Sequence, residues 1–547
     1  MSAETETREI LLGQAHGDPV MWDLARWREP LSQLYAKRGY APLWVQPIGL
    51  TGAGQQLISE LADAERRGLL TTDYDAAGLA QRVREMHDSG SATVASTMRV
   101  DLALSVAAAR LASDLHDGRV RPADVGYDLD IPHPLFDAAQ AVESLAASSN
   151  LGAALDAMEP QLRHYTLLKA ALGKYRELDA TSSALTALPP PPRFPVRAED
   201  SYDGAPPLRR LLAALGDLRD SHDPGNSGRP GEPSAMPAVQ SANDETRLDP
   251  SLVEGLKQFQ LRHGLDADGI LGRSTFRALT TPFATRIWQI ELSLERVRWL
   301  PARLDSPPII VNIPQFRLFA FRTTQDLAQD ILQMNVIVGA AFKARQTPVF
   351  AAEMRYVVLQ PYWDVPRSIL VKELLPDIRA RPGYLEKNGY EIVRGQSDSA
   401  RPLPATPENV QLLAQGSLRL RQKPGPNNAL GRVKFMFPNR HNVYLHDTPA
   451  RSLFSLSSRA FSHGCIRVSD PMALLAHVMR NEPGWSEQKR DLALLGTTPV
   501  RWQLSKPIPV YIVYGTALAT EAGAVMFFDD IYAQDAPLIA RLTHRAG

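Results

Sequence analysis

Hydrophobic residues recur at helical spacing across residues 20–180. Apolar side chains three, four and seven positions apart lie on one face of a helix, so each such stripe predicts a helix that buries this face. A glycine follows two of the stripes, at Gly68 and Gly118, as expected where helices end. The stripes are formed by Leu31, Leu34 and Tyr35, by Leu57, Leu61 and Ala64, and by Leu104, Ala108, Leu111 and Leu115. This region therefore predicts a helical domain.

A run of four prolines at residues 189–192 interrupts the helical pattern. A short apolar stripe then predicts a helix near 207–217, whereas residues 220–245 are polar and rich in Pro, Gly and Ser, which is typical of a flexible segment. Asp249 and Pro250 predict the next helix start, because Asp caps free N–H groups and Pro fits the first turn. With one more apolar stripe beyond it, the pattern predicts a small unit of three helices.

The pattern changes to that of strands beyond residue 300. Runs rich in Val, Ile and Phe make residues 309–365 largely β, while residues 370–440 are mixed and contain many prolines. Such a long, loop-rich segment near a site is often a lid. The predicted strands include 307–313, 316–321, 336–339, 356–359, 434–437, 443–445, 510–514 and 525–528.

Length and overall charge limit the number of domains and the kinds of partner. The 547 residues exceed what one hydrophobic core usually serves, so we expect two or three domains. Lys and Arg together number 60, as do Asp and Glu, so nothing in the overall charge favours nucleic acid or an anionic membrane as a partner. The first residues are polar and acidic and lack the layout of a signal peptide, and no apolar window reaches the roughly 18 residues of a membrane span.

The chain has a single cysteine, within Ser462-His463-Gly464-Cys465-Ile466-Arg467-Val468. A thiol reacts as its thiolate, and with an ordinary pKa of about 8.5 it needs a base near neutral pH. His446, at the end of an apolar run, is the candidate base that could take the proton and form an ion pair with Cys465. Gly464 lets the chain turn tightly and aim amide groups at a developing oxyanion. A buried, inert thiol and a zinc site of His441, His446, His463 and Cys465 are the alternatives.

The three-helix unit resembles the peptidoglycan-binding type-1 module. The helix near 207–217 matches the first helix of that module, so residues 220–245 would be an insertion. A generic helical linker domain is the alternative. The resemblance rests on residues 252–260, His263-Gly264-Leu265, Asp268-Gly269-Ile270-Leu271-Gly272 and Thr275.

The segments around His446 and Cys465 resemble the active-site signature of L,D-transpeptidases, whose catalytic domain has the YkuD fold. Several other segments are similar to the large YcbB/LdtD-type subgroup, and the resemblance covers most of the chain, from about 25 to 535. The segments that carry it are Tyr444-Leu445-His446-Asp447-Thr448-Pro449, residues 462–468, 335–339, 347–350, 361–369 and 298–301, the long segment 370–440 and the N-terminal helices.

The resemblance implies an enzyme that makes 3→3 cross-links in peptidoglycan. Cys465 would attack the donor tetrapeptide and form a thioester, and His446 would serve as general base and then acid, oriented by a backbone carbonyl for which Asp447 is the natural source. The backbone amides of His463, Gly464 and Cys465 are the oxyanion-hole candidates. Substrate-lining candidates are Tyr444, Trp363, Ser462 and Arg467, against which core packing for Tyr444 and Trp363 and structural roles for His463 and Arg467 are the alternatives.

The expected fold is a multidomain α+β protein with a helical scaffold domain, a three-helix module and a β-rich catalytic domain. We expect no metal and no cofactor. The expected bounds are 20–198 for the scaffold, 199–283 for the peptidoglycan-binding module, 284–305 for a linker helix and 306–547 for the catalytic domain, with its capping subdomain at about 370–440.

Two other functions compete with the transpeptidase reading. The same acyl-enzyme resolved by water would make the protein an L,D-carboxypeptidase, and a protein that only binds the wall would need no reactive thiol. The family resemblance implies a periplasmic location, a role in cell wall biogenesis and cell shape, acylation of Cys465 by carbapenems, and stem peptides as the substrates. Other cell-wall synthesis proteins are candidate partners.

Overall fold

The computed structural model describes residues 2–12, 24–88, 93–129, 131, 135–218, 246–324 and 331–543. It divides into two compact units, the first formed by Met1–Arg303 with Gly515–Gly547 and the second by Leu304–Tyr514. The first unit is largely helical and the second is built on β-sheet, which confirms the expected α+β class. No helix within the described ranges combines the length and hydropathy of a membrane span.

The helices are numbered in chain order. They are α1 Ala3–Leu12, α2 Leu24–Lys37, α3 Gly52–Ala62, α4 Ala76–Asp88, α5 Val94–His116, α6 Ala138–Ala146, α7 Leu151–Asp156, α8 Arg163–Ser182, α9 Ala205–Leu215, α10 Pro250–Arg262, α11 Arg273–Leu279, α12 Phe283–Arg298, α13 Arg367–Ile369, α14 Leu375–Ala380, α15 Tyr384–Lys387, α16 Pro407–Gln415, α17 Pro471–Met479, α18 Glu487–Leu495 and α19 Asp535–Thr543.

The strands are numbered in the same way. They are β1 Val45–Gln46, β2 Gly49–Leu50, β3 Ile309–Asn312, β4 Arg317–Phe321, β5 Ile331–Gly339, β6 Phe350–Leu359, β7 Trp363–Asp364, β8 Tyr390–Val393, β9 Pro402–Leu403, β10 Arg419–Gln422, β11 Val433–Met436, β12 Leu445–His446, β13 Ala460–Ser462, β14 Ile466–Val468, β15 Val500–Val513, β16 Ala517–Ala519 and β17 Val525–Phe527.

Helix α5 is the centre of the first unit. Thr93 caps its start through a bond from Ser96 N–H, and side chains on every face of the helix from Val100 to Leu115 are buried. One of these, Asp101, lies in the apolar interior because its carboxylate accepts the N–H groups of residues 43–45 and the hydroxyl of Tyr35. A buried carboxylate needs such partners, so Asp101 fixes the chain before α3 onto α5.

Helices α9, α10 and α11 form the small three-helix unit. Asp249 caps α10 by accepting the Leu252 N–H at 2.9 Å, as its sequence predicts. Gln260 on α10 holds the following turn, because its amide accepts from Gly269 N–H at 2.8 Å and donates to the Ile270 carbonyl at 2.9 Å. The segment expected as an insertion, 220–245, lies outside the described residues.

The compact units of the structure are divided at other residues than the expected domain bounds. The helix expected as a linker at 284–305 is α12, which packs along α8 and is buried on all sides from Ile290 to Arg298. Residues 515–543 belong to the helical unit, not to the catalytic domain that was expected to extend to 547. The reason is the apolar face of the β16–β17 hairpin, which joins the core of α8 and α12, with the Phe527 ring 5.2 Å from that of Tyr175.

Eight strands of the second unit pair in a closed ring, in the order β5, β14, β12, β11, β6, β15, β3 and β4, and β4 returns to β5. Most neighbours are antiparallel, but β12–β14 and β15–β3 are parallel. Strand β13 pairs in parallel with the end of β5. Closure leaves no free edge within the ring, and it brings β12 beside β14, the two strands that carry the candidate residues.

A second, smaller sheet of β7, β10, β8 and β9 lies within the same unit. Together with α13 to α16 it has its own hydrophobic core. It begins at Trp363 and ends at Gln422, and Val433–Met436 already belongs to the ring. We call residues 363–422 the small subdomain, and they occupy most of the segment expected as a cap.

Candidate active site

The loop that carries Cys465 connects β13 to β14. Gly464 adopts φ +119°, a conformation open to glycine but not to side chains with a Cβ. The Ser462 hydroxyl holds the loop from within, because it accepts the Gly464 N–H at 3.1 Å and donates to the Cys465 carbonyl at 2.5 Å. Ser462 is 2% exposed, so its observed contacts are those of a loop support. They give no support to the substrate-lining role predicted for it.

Thr347 supports the same loop from the other side. Its hydroxyl donates to the Gly464 carbonyl at 2.9 Å and accepts the N–H of Gly339 at 2.8 Å. A Cβ at Gly339 would lie 2.0 Å from the Arg345 carbonyl oxygen, so only glycine lets the chain before Thr347 pass this closely. Strand β5 and the cysteine loop are thereby joined through one buried hydroxyl.

His446 lies on β12, whose register pairs it with Lys434 on one side and Arg467 on the other. One position away along each strand lie Phe435, Leu445 and Ile466, which are fully buried inside the ring. Since side chains alternate between the faces of a sheet, Lys434, His446 and Arg467 share the opposite face. The same alternation places Tyr444 and Cys465 on that face, next to His446.

The Asp447 carbonyl orients the His446 ring. It lies 2.6 Å from Nδ1, and because a carbonyl can only accept, Nδ1 carries the proton and Nε2 is left as the proton acceptor. This is the contact that the family resemblance implied.

The Asp447 carboxylate is itself held firmly. It accepts the backbone N–H groups of Arg432 and Thr448 and pairs with the Arg451 guanidinium. Asp447 is buried, and Gly431 makes room for it, since a Cβ there would lie 2.3 Å from Asp447 Cγ. The carbonyl that orients His446 therefore belongs to a residue with little freedom to move.

Burial of the site favours a neutral Cys–His pair in the free protein. Burial and the nearby Arg467 lower the pKa of His446 to about 3, with a smaller contribution from Lys434. Burial raises the pKa of the Cys465 thiol above its ordinary value, although Tyr444, Lys434 and Arg467 act in the opposite direction. The ion pair considered from the sequence is therefore disfavoured, because both charged forms would lose their hydration.

Tyr444 lies close to both groups. Its ring centroid is 5.7 Å from that of His446, and Lys434 Nζ lies 4.2 Å from the Tyr444 ring centroid. Burial and the charge of Cys465 raise the pKa of Tyr444 well above its usual range, so the hydroxyl stays protonated and can donate to the sulfur. Of the predicted substrate-lining residues, Tyr444 and Arg467 are the two whose side chains act on the Cys465 thiol.

His463 pairs with an acidic residue through its side chain. Its side chain is exposed, and Nε2 lies 2.7 Å from the Glu373 carboxylate of the small subdomain. Glu373 also accepts from Arg345 at 2.8 Å. His463 therefore links its loop to the small subdomain, which agrees with a structural role for its side chain.

Trp363 opens the small subdomain and packs against its hydrophobic core, with its ring 6.3 Å from that of Tyr390. These contacts favour the packing role over the substrate-lining role. For the oxyanion hole, the Gly464 N–H is already donated to Ser462. The amides of His463, Gly464 and Cys465 remain a prediction for that function.

The three histidines considered for zinc have separate partners. His441 packs on Phe350 at 5.1 Å between ring centroids, His446 faces the Asp447 carbonyl, and His463 pairs with Glu373. Among the described residues, no three His, Cys, Asp or Glu side chains converge as a metal site would require.

Comparison with known families agrees with this arrangement. Residues 307–501 match the family described as "L,D-transpeptidase catalytic domain". Residues 29–172 match a scaffold domain family, and residues 238–279 match a "Putative peptidoglycan binding domain". The chain therefore contains an L,D-transpeptidase catalytic domain together with a scaffold domain and a peptidoglycan-binding module.

A curated relative from Haemophilus influenzae carries the name "Putative L,D-transpeptidase". It is 31% identical to this chain over 303 residues, which are 54% of this chain and 59% of the relative. The chain thus spans about three fifths of that relative's length.

Sequence reasoning missed Lys434, Thr347 and Glu373 as parts of the site. Lys434 carried a faint signal, since Val433 and Phe435 on either side are apolar and strand alternation puts Lys434 on the other face. The residues beside Lys434 depend on which strand pairs with β11, and the sequence around Lys434 does not predict that pairing.

Proposed function

We propose that this protein is a peptidoglycan L,D-transpeptidase that forms 3→3 cross-links between stem peptides through a thioester on Cys465. The observation that carries the proposal is the shared sheet face of Cys465, His446 and Tyr444, with His446 oriented by the Asp447 carbonyl. The matched catalytic domain supports it as well. Cys465 is the nucleophile and His446 the general base in this proposal.

The first half of the reaction is acylation. Sγ of Cys465 attacks the carbonyl at the L-centre of the donor's diaminopimelate while the thiol proton passes to Nε2 of His446. The bond to the terminal D-alanine then breaks, and His446 returns the proton to the leaving amine. Because the resting pair is neutral, proton transfer accompanies the attack and does not precede it. The Tyr444 hydroxyl donates to the sulfur while negative charge develops there.

The second half transfers the acyl group. The side-chain amine of an acceptor's diaminopimelate attacks the thioester, and His446 accepts the amine proton. The Cys465 thiolate then leaves and takes this proton from His446. If water attacks instead, the product is a tripeptide and the protein is an L,D-carboxypeptidase. The same residues serve both outcomes, so the acceptor decides between them.

The proposal extends to location and partners. We propose that the protein works in the periplasm, where stem peptides occur, and contributes to cell wall biogenesis and cell shape. The matched peptidoglycan-binding module supports the wall as its place of action. Carbapenems, as acylating agents, are expected to react with Cys465.

A muropeptide assay tests the proposed activity. Purified protein and disaccharide tetrapeptides should give 3→3 dimers and free D-alanine, identified by chromatography and tandem mass spectrometry. The matched control is Cys465→Ala, which should give neither product. Tripeptide monomers without dimers would replace the proposal by the carboxypeptidase reading, and equal products from Cys465→Ala would leave only a wall-binding role.

A further inference from the structure

Two cations flank His446 on the reactive face of the sheet. Lys434 on β11 and Arg467 on β14 are the direct neighbours of His446 in the strand register. Both side chains are partly buried, and both act electrostatically on Cys465. The chemistry of the Cys–His pair needs neither of them as an acid or a base.

Neither cation has a carboxylate partner at ion-pair distance in the part of the chain that the structure describes. Nε of Arg467 is buried there without a hydrogen-bond acceptor. Lys434 lies over the face of Tyr444, and burial lowers its pKa, with Cys465 and Asp398 acting against that shift. Partly buried cations without an ion-pair partner have lost part of their hydration without replacement, so this face suits an anion from outside.

The reacting carbonyl limits which anion this can be. In a donor tetrapeptide, the terminal carboxylate is attached next to the nitrogen of the bond that breaks, so it must lie near Sγ when the carbonyl does. The carboxylate at the D-centre of diaminopimelate is separated from that carbonyl by the length of the side chain. The carboxylate of the leaving D-alanine is therefore the anion that can reach the two cations.

We propose that Lys434, together with Arg467, binds the C-terminal carboxylate of the donor peptide and so selects donors with a free C-terminus. This inference rests on the proposed function and adds a substrate-recognition site to it. An ammonium group and a guanidinium group suit a carboxylate. A bound carboxylate would also favour the charged form of Lys434 and so oppose the effect of burial on its pKa.

Lys434 would act in only one half of the reaction. The carboxylate leaves with D-alanine when the thioester forms, so Lys434 contributes to acylation and has no ligand during acyl transfer. A role in stabilising the thiolate would instead affect every reaction of Cys465, whichever donor is used. The two roles therefore predict different dependences on the donor's C-terminus.

The test compares a donor tetrapeptide with the same peptide bearing a C-terminal carboxamide. Acyl-enzyme formation on Cys465 is followed by intact-protein mass spectrometry in wild type, Lys434→Met and the control Lys506→Met, which removes an exposed lysine of β15. We expect wild type and Lys506→Met to prefer the free carboxylate by about ten- to hundredfold, the usual range for a hydrogen bond to a charged group. In Lys434→Met the ratio of the two rates should fall by about tenfold, and the preference that is left is the contribution of Arg467.

The ratio is measured within one preparation, so partial unfolding of Lys434→Met does not change it. An undiminished preference in Lys434→Met, or a wild-type protein that uses both donors equally, would overturn the inference while leaving the transpeptidase proposal intact. A wild-type protein that forms no acyl-enzyme with either donor, although its thiol reacts with iodoacetamide, would overturn the proposed function and this inference with it.

Discussion

Replacing Thr347 by Val tests whether the buried hydroxyl joins β5 to the cysteine loop. Val has nearly the same shape as Thr, so the change removes the hydroxyl and leaves the packing almost unaltered. Two hydrogen bonds are lost, one from Gly339 N–H at 2.8 Å and one to the Gly464 carbonyl at 2.9 Å. Both lie in the buried interior beside the loop.

The cost follows from the number of bonds. A buried donor or acceptor left without its partner costs about 1–3 kcal/mol, so two of them give roughly 2–6 kcal/mol for Thr347→Val. Thr347→Ser keeps the hydroxyl and loses only a methyl group, worth roughly 1 kcal/mol. The difference between Val and Ser therefore isolates the hydrogen bonds.

Hydrogen exchange followed by mass spectrometry gives the most local measurement. Peptides that contain Gly339 and the loop 462–468 should exchange about tenfold or more faster in Thr347→Val than in Thr347→Ser. Acylation of Cys465 by a carbapenem should be slower in Thr347→Val than in Thr347→Ser, because the loop that positions the sulfur becomes less ordered. Equal exchange and equal acylation in the two variants would refute the idea that this hydroxyl holds the loop.

Three further outcomes are expected. The rate at which iodoacetamide alkylates Cys465 should keep rising with pH beyond the range of an ordinary thiol, because its pKa is raised and the thiolate fraction levels off only above that pKa. A rate already at its plateau at neutral pH would contradict the neutral pair. Gly431→Ala should lower the free energy of unfolding by about 1–2 kcal/mol, because φ of Gly431 is +59° and the added Cβ would clash with Asp447. A denaturation midpoint equal to that of wild type would contradict this. Glu373→Gln should change the free energy of unfolding by less than about 1 kcal/mol, because the Glu373–His463 pair is partly exposed. A larger change, measured by urea denaturation, would contradict this.

Local patterns were enough to predict much of the fold. The apolar stripe ending at Leu115 became α5, Asp249 capped α10 as expected, and the Val-rich and Ile-rich runs became strands. Cys465 and His446 could be proposed from the sequence because each lies in a motif of neighbouring residues in the chain.

Features that depend on distant parts of the chain were not predictable. The hairpin of residues 517–527 was correctly expected to contain a strand, but its attachment to α8 and α12 comes from packing that spans more than two hundred residues. Lys434 was missed because its neighbours His446 and Arg467 are set by strand pairing. The ion pair was considered because the sequence gives the identity of two groups and not their burial, which here favours the neutral forms of both.

The most direct measurement is intact-protein mass spectrometry after exposure to a carbapenem, with peptide mapping of the modified site. The account predicts one adduct per chain, located on Cys465, no adduct on Cys465→Ala, and slow formation in His446→Gln, which lacks the base. An adduct that persists on Cys465→Ala, or formation at the wild-type rate in His446→Gln, would contradict the claim that these two residues carry the acylation.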